Sequence, residues 1–274
     1  NILLDSLNKS LTVMRKNKSE FFLLFVLQIL FFGMLLYIGI YQVKIIENAK
    51  DMSDYLSEQQ FDDVTITNKI LGQQDVLGDN PEMIEQNFNS IISNFRIFLF
   101  SFFVVLIVFL SSAWALTARI SRNLNFNLKK TFLRNFSVLF ACLGLIFLFF
   151  ILALNISFSE AALQGSNVFM KYASFFLFSL ALLYFAFISL SLSGRYALND
   201  LMVKSIKIGI KKIHYIIAAY FIAFLLIALS LYLVFFLIDI NFFASTISLI
   251  LFILSFIFGR VLLLNVVNEL DKDM

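Results

Sequence analysis

Charged residues are scarce in this sequence. Asp, Glu, Lys and Arg make up 14% of the 274 residues, whereas a typical soluble domain has about 25%. Hydrophobic residues make up 61%. A soluble chain of this size cannot bury so large an apolar fraction, because too much of a small protein lies at its surface. The composition therefore predicts a protein that has lipid as its main solvent.

Residues that interrupt helices or carry chemistry are also scarce. One proline and nine glycines leave few breaks, which favours an all-α protein. The only cysteine, Cys142, excludes an intramolecular disulfide. The only histidine, His214, has no second metal ligand near it in the sequence. Because the chain also has no glycine-rich phosphate loop, the sequence predicts a non-enzyme without catalytic residues, cofactor or metal site.

Six apolar runs are long enough to cross a membrane. A helix needs about 20 residues to cross a hydrocarbon core about 30 Å thick. The first run is too long for a signal-peptide core and lacks a cleavage site after it, so we expect it to be retained. The sequence predicts a single six-helix membrane domain over residues 1–274, with spans at Phe21–Val43, Ile97–Ala118, Phe136–Ile156, Tyr172–Ser193, Tyr215–Ile238 and Ala244–Leu264.

The charges flanking these runs predict the orientation. With six spans, both termini lie on one side, together with 16 of the 21 basic residues. That side has six acidic residues, whereas the opposite side has five basic and 12 of the 18 acidic residues. The positive-inside rule places the basic side in the cytoplasm. We therefore expect a multi-pass protein of a cell membrane with cytoplasmic N- and C-termini.

Three basic segments precede the odd-numbered spans and resemble one another. The apolar residues Leu3, Leu4, Leu7, Leu11 and Met14 recur at helical spacing in the first segment, and Leu198, Met202, Ile206 and Ile213 in the third. Each segment is typical of a short amphipathic helix on the inner leaflet. Ser10-Leu11, Asn127-Leu128 and Ser205-Ile206 align with one another, as do Ala118-Arg119, Gly194-Arg195 and Gly259-Arg260. The pattern predicts three repeats of an amphipathic helix followed by a transmembrane hairpin.

Residues 45–95 form the only sizeable segment outside the membrane. A helical apolar stripe continues out of the first span through Ile45, Ala49 and Leu56. Asn80-Pro81-Glu82 is a helix start signal, because it combines a capping residue, a first-turn proline and an early acid. We therefore expect an extracytoplasmic helical hairpin with an irregular tip over Phe61–Asp79. Its acidic residues favour a solvated face rather than a calcium site, and the hairpin is a candidate partner-binding element.

Arg119, Arg195 and Arg260 end the three even-numbered spans and lead to two interpretations. In the first, their side chains extend to the inner headgroups as ordinary membrane anchors. In the second, the arginines converge on anionic lipid phosphates or an acidic partner, because guanidinium binds phosphate in a bidentate manner. Candidate residues for binding headgroups or a partner are Arg119, Arg195, Arg260, Lys129, Lys130, Arg134, Lys204, Lys207, Lys211 and Lys212.

Two functions remain open from the sequence. The absence of charge in the first five spans, and of proline in any span, favours a non-catalytic scaffold, assembly factor or subunit of a membrane complex. Its expected partners are inner-leaflet lipids with anionic headgroups and a protein, either another chain or a second copy, but no nucleic acid. The alternative is a channel or permease subunit for a small solute or lipid, since duplicated hairpins often surround a path. A cavity lined by Gln28 and the span serines would favour transport, and a centre packed with phenylalanine would favour the scaffold.

Overall fold

The computed structural model describes residues 2–58, 81–122, 127–161 and 168–273. Within these ranges the chain forms eight helices and no strand. The helices are α1 (Ile2–Lys16), α2 (Lys18–Glu58), α3 (Pro81–Arg122), α4 (Leu128–Ala161), α5 (Val168–Leu192), α6 (Leu198–Lys211), α7 (Ile213–Ile238) and α8 (Phe242–Lys272).

Six of these helices, α2, α3, α4, α5, α7 and α8, are long and apolar enough to cross a membrane. Each contains one of the six predicted spans, except that Ser193 lies just beyond the end of α5, so the predicted number of spans is confirmed. Large apolar side chains such as Leu177 and Phe224 are 66% and 65% exposed on these helices. Such exposure is unfavourable in water but ordinary in lipid. The protein is therefore a multi-pass membrane protein that is helical throughout its described spans.

The chain divides into two compact units, residues 1–30 with 107–274 and residues 31–106. The core of the first unit lies toward the ends of α3, α5 and α8 that adjoin Arg119, Arg195 and Lys272. In α3 nearly every residue from Ser111 to Ile120 is buried, and in α8 nearly every residue from Ile257 to Leu270. We call this side of the first unit the basic end.

Helices α3 and α5 meet in this core through aromatic rings. The indole of Trp114 stacks on the ring of Phe187 with 5.9 Å between ring centroids. Trp114 is 2% exposed. Offset stacking of this kind adds to the apolar area that both rings bury. Consecutive transmembrane helices form the pairs α2 with α3 and α4 with α5. The second helices of these two pairs, α3 and α5, therefore contact each other directly.

The three basic segments pack in a related manner on this unit. Helix α1 packs on α8, where Asn265 Nδ2 donates a hydrogen bond of 2.8 Å to Ser10 Oγ. Helix α6 packs on α5. Near the start of α4, Asn135 Nδ2 donates a hydrogen bond of 3.3 Å to the Ser111 carbonyl of α3. The second and third segments thus contact the second helix of the preceding transmembrane pair, which is α3 and α5 respectively. The first segment, α1, has no preceding pair and contacts the last helix, α8.

The second basic segment differs in one respect from the other two. Its described part, from Leu128 onward, is the first turns of α4 and is not a separate helix. Asn127 Oδ1 accepts a hydrogen bond of 3.0 Å from the Lys130 backbone N–H, as an N-capping side chain does. No proline or glycine follows before Gly144. The helix therefore continues without a break into the span.

The second unit contains the parts of α2 and α3 that extend beyond the predicted spans. Helix α2 runs to Glu58, which confirms that the apolar stripe through Ile45, Ala49 and Leu56 is helical. The described part of α3 begins at Pro81, and Asn80 of the predicted start signal lies outside the described residues. Asn48 Nδ2 of α2 donates a hydrogen bond of 2.9 Å to Ser90 Oγ of α3. The two helices are therefore linked within this unit. The predicted tip, Phe61–Asp79, lies outside the described residues.

Candidate functional site

Helix α6 has three distinct faces. The face toward the protein buries Leu201, Ser205, Ile208 and Gly209. Tyr184 donates a hydrogen bond of 2.8 Å to the Gly209 carbonyl across this contact. Small residues suit the contact because they allow two helices to approach closely.

A second face of α6 is apolar and exposed. The side chains of Met202, Ile206 and Ile210 are 48%, 49% and 64% exposed. Lys207 and Lys211 are exposed on the third face. The stripe predicted from Leu198, Met202, Ile206 and Ile213 therefore does not pack inside the protein. A helix that lies at a membrane surface beside a helical bundle needs one face each for protein, lipid and water.

Helix α1 has the same three faces. Ser6 and Ser10 are buried against the protein. Leu4 and Leu11 are 57% and 51% exposed, and Lys16 is exposed on the polar face. With 3.6 residues per turn, the protein, apolar and polar faces follow one another in the same rotational sense in α1 and α6. The aligned serines, Ser10 and Ser205, both lie on the protein face, and the aligned Leu11 and Ile206 both lie on the apolar face.

Asp271 gathers several of the predicted basic residues. Its side chain is 4% exposed and lies 3.0 Å from Arg195 Nη1. Its other carboxylate oxygen lies 3.3 Å from Lys204 Nζ. Tyr196 donates a hydrogen bond of 2.8 Å to the same carboxylate. The charges of Arg195 and Lys204 are therefore partly compensated within the protein and are not wholly available to a headgroup.

Lys204 is held mainly by Tyr196. The hydrogen bond that its ammonium donates to the Tyr196 hydroxyl, followed by that to the Asp271 carboxylate, raises the pKa of Lys204 above 10.5. The ammonium also lies 3.8 Å from the Tyr196 ring centroid, which is the geometry of a cation–π contact. Lys204 is therefore charged throughout the neutral pH range.

The three span-ending arginines have separate partners. Arg119 is half-exposed and lies 4.0 Å from the Glu20 carboxylate. Arg195 contacts Asp271, as described above. Arg260 Nη2 donates a hydrogen bond of 2.6 Å to the side-chain oxygen of Gln28. Arg119 and Arg260 thus contact α2, whereas Arg195 contacts α8.

The other candidate residues lie near the basic end. Arg134 Nη1 donates a hydrogen bond of 2.9 Å to the Ser193 carbonyl at the end of α5. A cation there also interacts favourably with the helix dipole. Lys129 and Lys130 are exposed in the first turn of α4, and Lys212 is half-buried between α6 and α7. Lys129, Lys130, Lys207 and Lys211 are therefore the candidates that extend into the surroundings.

A cavity of about 250 Å³ lies within the first unit, between α2, α3, α5, α7 and α8. Its polar side chains are Gln28, Trp114, Tyr220 and Arg260, and the rest of its lining is apolar. None of its lining residues is a serine. The cavity thus contains the predicted Gln28 but not the predicted serines, and Phe187 forms part of its wall.

Asp271, Trp114 and Tyr220 are functional candidates that the sequence did not reveal. Asp271 is one of only six acids on the basic side, and Trp114 is the only tryptophan. Such rarity is a weak signal by itself. Their partners lie far away in the sequence, since Arg195 and Asp271 are 76 residues apart, so no local spacing shows the contact.

Comparison of the chain with known protein families, with curated proteins and with solved structures finds no match.

Proposed function

We propose that this protein is a non-catalytic subunit or assembly factor of a membrane complex that binds the cytoplasmic leaflet through α1 and α6. The exposed apolar stripe of α6, beside exposed Lys207 and Lys211, carries this proposal. An apolar face buried at the lipid boundary and lysines at the headgroups are the two contacts of an interfacial helix. The protein would hold the leaflet beside its own spans and present its other surfaces to a partner.

The arrangement of the basic segments supports a threefold internal repeat. In each proposed repeat, a basic segment contacts the second helix of the preceding helix pair, and α1 completes the series by contacting α8. The identical order of faces in α1 and α6 supports the same duplication. The excess of basic residues at this end of the spans favours its location in the cytoplasm, with both termini. The hairpin of residues 45–95 then projects on the opposite side.

Retention of anionic lipid tests the leaflet-binding proposal. Lys207→Gln with Lys211→Gln removes two exposed charges from α6, and each basic residue near an anionic surface contributes about 1 kcal/mol. We expect fewer phosphatidylglycerol molecules to remain bound in native mass spectrometry. Lys44→Gln with Lys50→Gln removes the same charge on the opposite side and should leave retention unchanged. An equal loss in both variants would contradict the proposal.

The hairpin is the proposed site of partner binding. Ile46 and Phe88 are 59% and 52% exposed on its two helices. A photo-crosslinking amino acid at either position should form a defined adduct in cells, either with another chain or with a second copy of this one. The same amino acid at Phe178 of α5, which is 41% exposed, serves as the lipid-facing control. Absence of any protein adduct from Ile46 and Phe88 would contradict partner binding there.

The cavity favours a second candidate function, a permease or channel subunit for a small solute or lipid. Gln28 and Arg260 are polar groups within the transmembrane bundle, and such groups often mark a ligand path. A flux assay in proteoliposomes separates the two candidates. Protein-dependent movement of an anionic amphiphile would favour the permease, whereas leaflet binding without flux would favour the scaffold.

A further inference from the structure

We infer that the cavity between α2, α3, α5, α7 and α8 binds the anionic headgroup of a single-chain membrane amphiphile, with Arg260 as its counter-charge. The inference deepens the second candidate function, because it gives that cavity a ligand class. Binding to the cavity requires neither leaflet binding by α6 nor transport, so each of the three can fail separately.

Arg260 is incompletely paired inside the bundle. A guanidinium has five N–H donors, and one nitrogen, Nη2, donates to Gln28. Its Nε is buried and has no hydrogen-bond partner in the described part of the chain. Among the described residues no carboxylate forms an ion pair with Arg260. Charged groups inside a membrane protein are usually paired. Within the ranges that the structure describes, Arg260 therefore lacks a counter-charge, and a bound anion would supply one.

A second donor in the same cavity is also unpaired. Trp114 lines the cavity, is 2% exposed, and has a buried indole N–H without a partner among the described residues. Buried N–H groups in native proteins almost always have an acceptor. The residues that line the cavity thus include two buried donors without a partner in the described ranges and a positive charge, but no acidic residue. A carboxylate or phosphate group, which has several acceptor oxygens and a negative charge, is the chemical class that complements them.

The remaining walls indicate that the ligand has an apolar tail. Leu110, Ile227 and Phe256 line the cavity and are half-buried. Gly259 brings α7 and α8 close together beside it, since a Cβ at this position would lie 3.0 Å from Ala223 Cβ. The volume of about 250 Å³ is below the roughly 300–1,000 Å³ of usual ligand pockets. It therefore suits a headgroup and the first part of one chain rather than a two-chain lipid.

Fluorescence of the single tryptophan tests the inference directly. Because Trp114 is buried in the bundle, bulk lipid does not contact it, and a quencher must enter the cavity. We expect a brominated fatty acid to quench the protein in lipid vesicles in a saturable manner. Its uncharged methyl ester should quench weakly. Equal quenching by acid and ester, or no saturable quenching by the acid, would overturn the inference without the use of any variant.

Variants of Arg260 then test its role. Arg260→Gln should weaken the apparent affinity for the acid about tenfold or more, because it removes a charge-assisted hydrogen bond. Arg260→Lys retains the charge and should bind with intermediate affinity, which keeps the test valid if the Gln variant does not fold. Arg119→Gln is the matched control outside the cavity and should bind normally. Loss of binding in Arg119→Gln equal to that in Arg260→Gln would overturn the assignment.

Competition identifies the source of the anion. Dodecyl phosphate should displace the brominated acid at far lower concentration than inorganic phosphate, because only the former also fills the apolar part of the cavity. Displacement by both at the same concentration would show a free-anion site and overturn the assignment to an amphiphile. Binding that follows the expected pattern without any flux would support this site and contradict the permease function.

Discussion

Asp271 shows how a single acid organises the basic end of the first unit. Its nearly buried carboxylate contacts Arg195 at 3.0 Å and Lys204 at 3.3 Å. It thereby connects the end of α8 to the turn after α5 and to α6. Glu269, two residues earlier, forms an ion pair with Lys9 of α1. Two acids at the end of one helix thus hold both α1 and α6 to the bundle.

Replacement of Asp271 by Asn should therefore destabilise the protein. We expect a loss of about 1–2 kcal/mol in the free energy of unfolding in mild detergent, since the carboxylate accepts charge-assisted bonds but its basic partners are partly exposed. Asp273→Asn removes the same charge two residues away at an exposed position and should have little effect. Equal destabilisation by both substitutions would show that the contacts of Asp271 contribute nothing specific.

The pH dependence of this cluster follows from the raised pKa of Lys204. A lysine whose folded pKa exceeds its unfolded value stabilises the fold fully below the unfolded pKa, here 10.5. The contribution is lost as the pH rises through the folded pKa. The effect of Lys204→Met on the unfolding free energy should therefore be constant across neutral pH and decrease only above pH 10.5. A marked change between neutral and mildly alkaline pH would contradict this.

At the scale of helices, Gly209 sets the distance between α5 and α6. A Cβ at this position would lie 2.8 Å from Phe185 Cε1 and 3.0 Å from Ile188 Cδ1. Gly209→Val should displace α6 and cost about 1–3 kcal/mol through overpacking. Gly144→Val in α4 is the matched control, because nothing lies within 4 Å of its Cβ position. Thermal unfolding in detergent measures both, and equal midpoints would contradict the close packing described here.

The sequence predicted the helix α6 and its apolar stripe, but not the face by which α6 packs on the protein. Lipid and a protein core are both apolar, so the side chains of Met202 and Ile206 would be in a similar environment whether they faced lipid or the protein. Their periodicity therefore revealed an apolar stripe without showing that it faces away from the protein. The small residues Ser205 and Gly209 mark the packed face more directly, because close helix approach requires small side chains and lipid contact does not.

At the scale of the whole molecule, the location of the spans was predictable because each is a local property of about 20 residues. The cavity was not predictable in the same way. Gln28 and Arg260 are 232 residues apart, and each alone has an ordinary local explanation. Their contact depends on how α2 and α8 lie beside each other. The repeat pattern gives the order of the segments along the chain but not the distances between them.

The orientation of the whole chain is a separate prediction. In a Cys142→Ala background, a cysteine at Glu82 should react with a membrane-impermeant maleimide in intact cells. A cysteine at Asp200 should react only after lysis. Both native side chains are exposed, so differences in reactivity report the side of the membrane. The opposite pattern would show that the basic end faces outward and would contradict the expected topology.

The central claim, that α6 lies at the leaflet with its apolar face in lipid, is tested most directly by spin-label accessibility. Single cysteines at Ile206, Ile210, Lys207 and Lys211 in the Cys142→Ala background each carry one label in a lipid bilayer. We predict high accessibility to oxygen and low accessibility to a water-soluble nickel chelate at Ile206 and Ile210, with the reverse at Lys207 and Lys211. Equal access of the nickel chelate to all four positions would show that the apolar face is in water and would contradict the account.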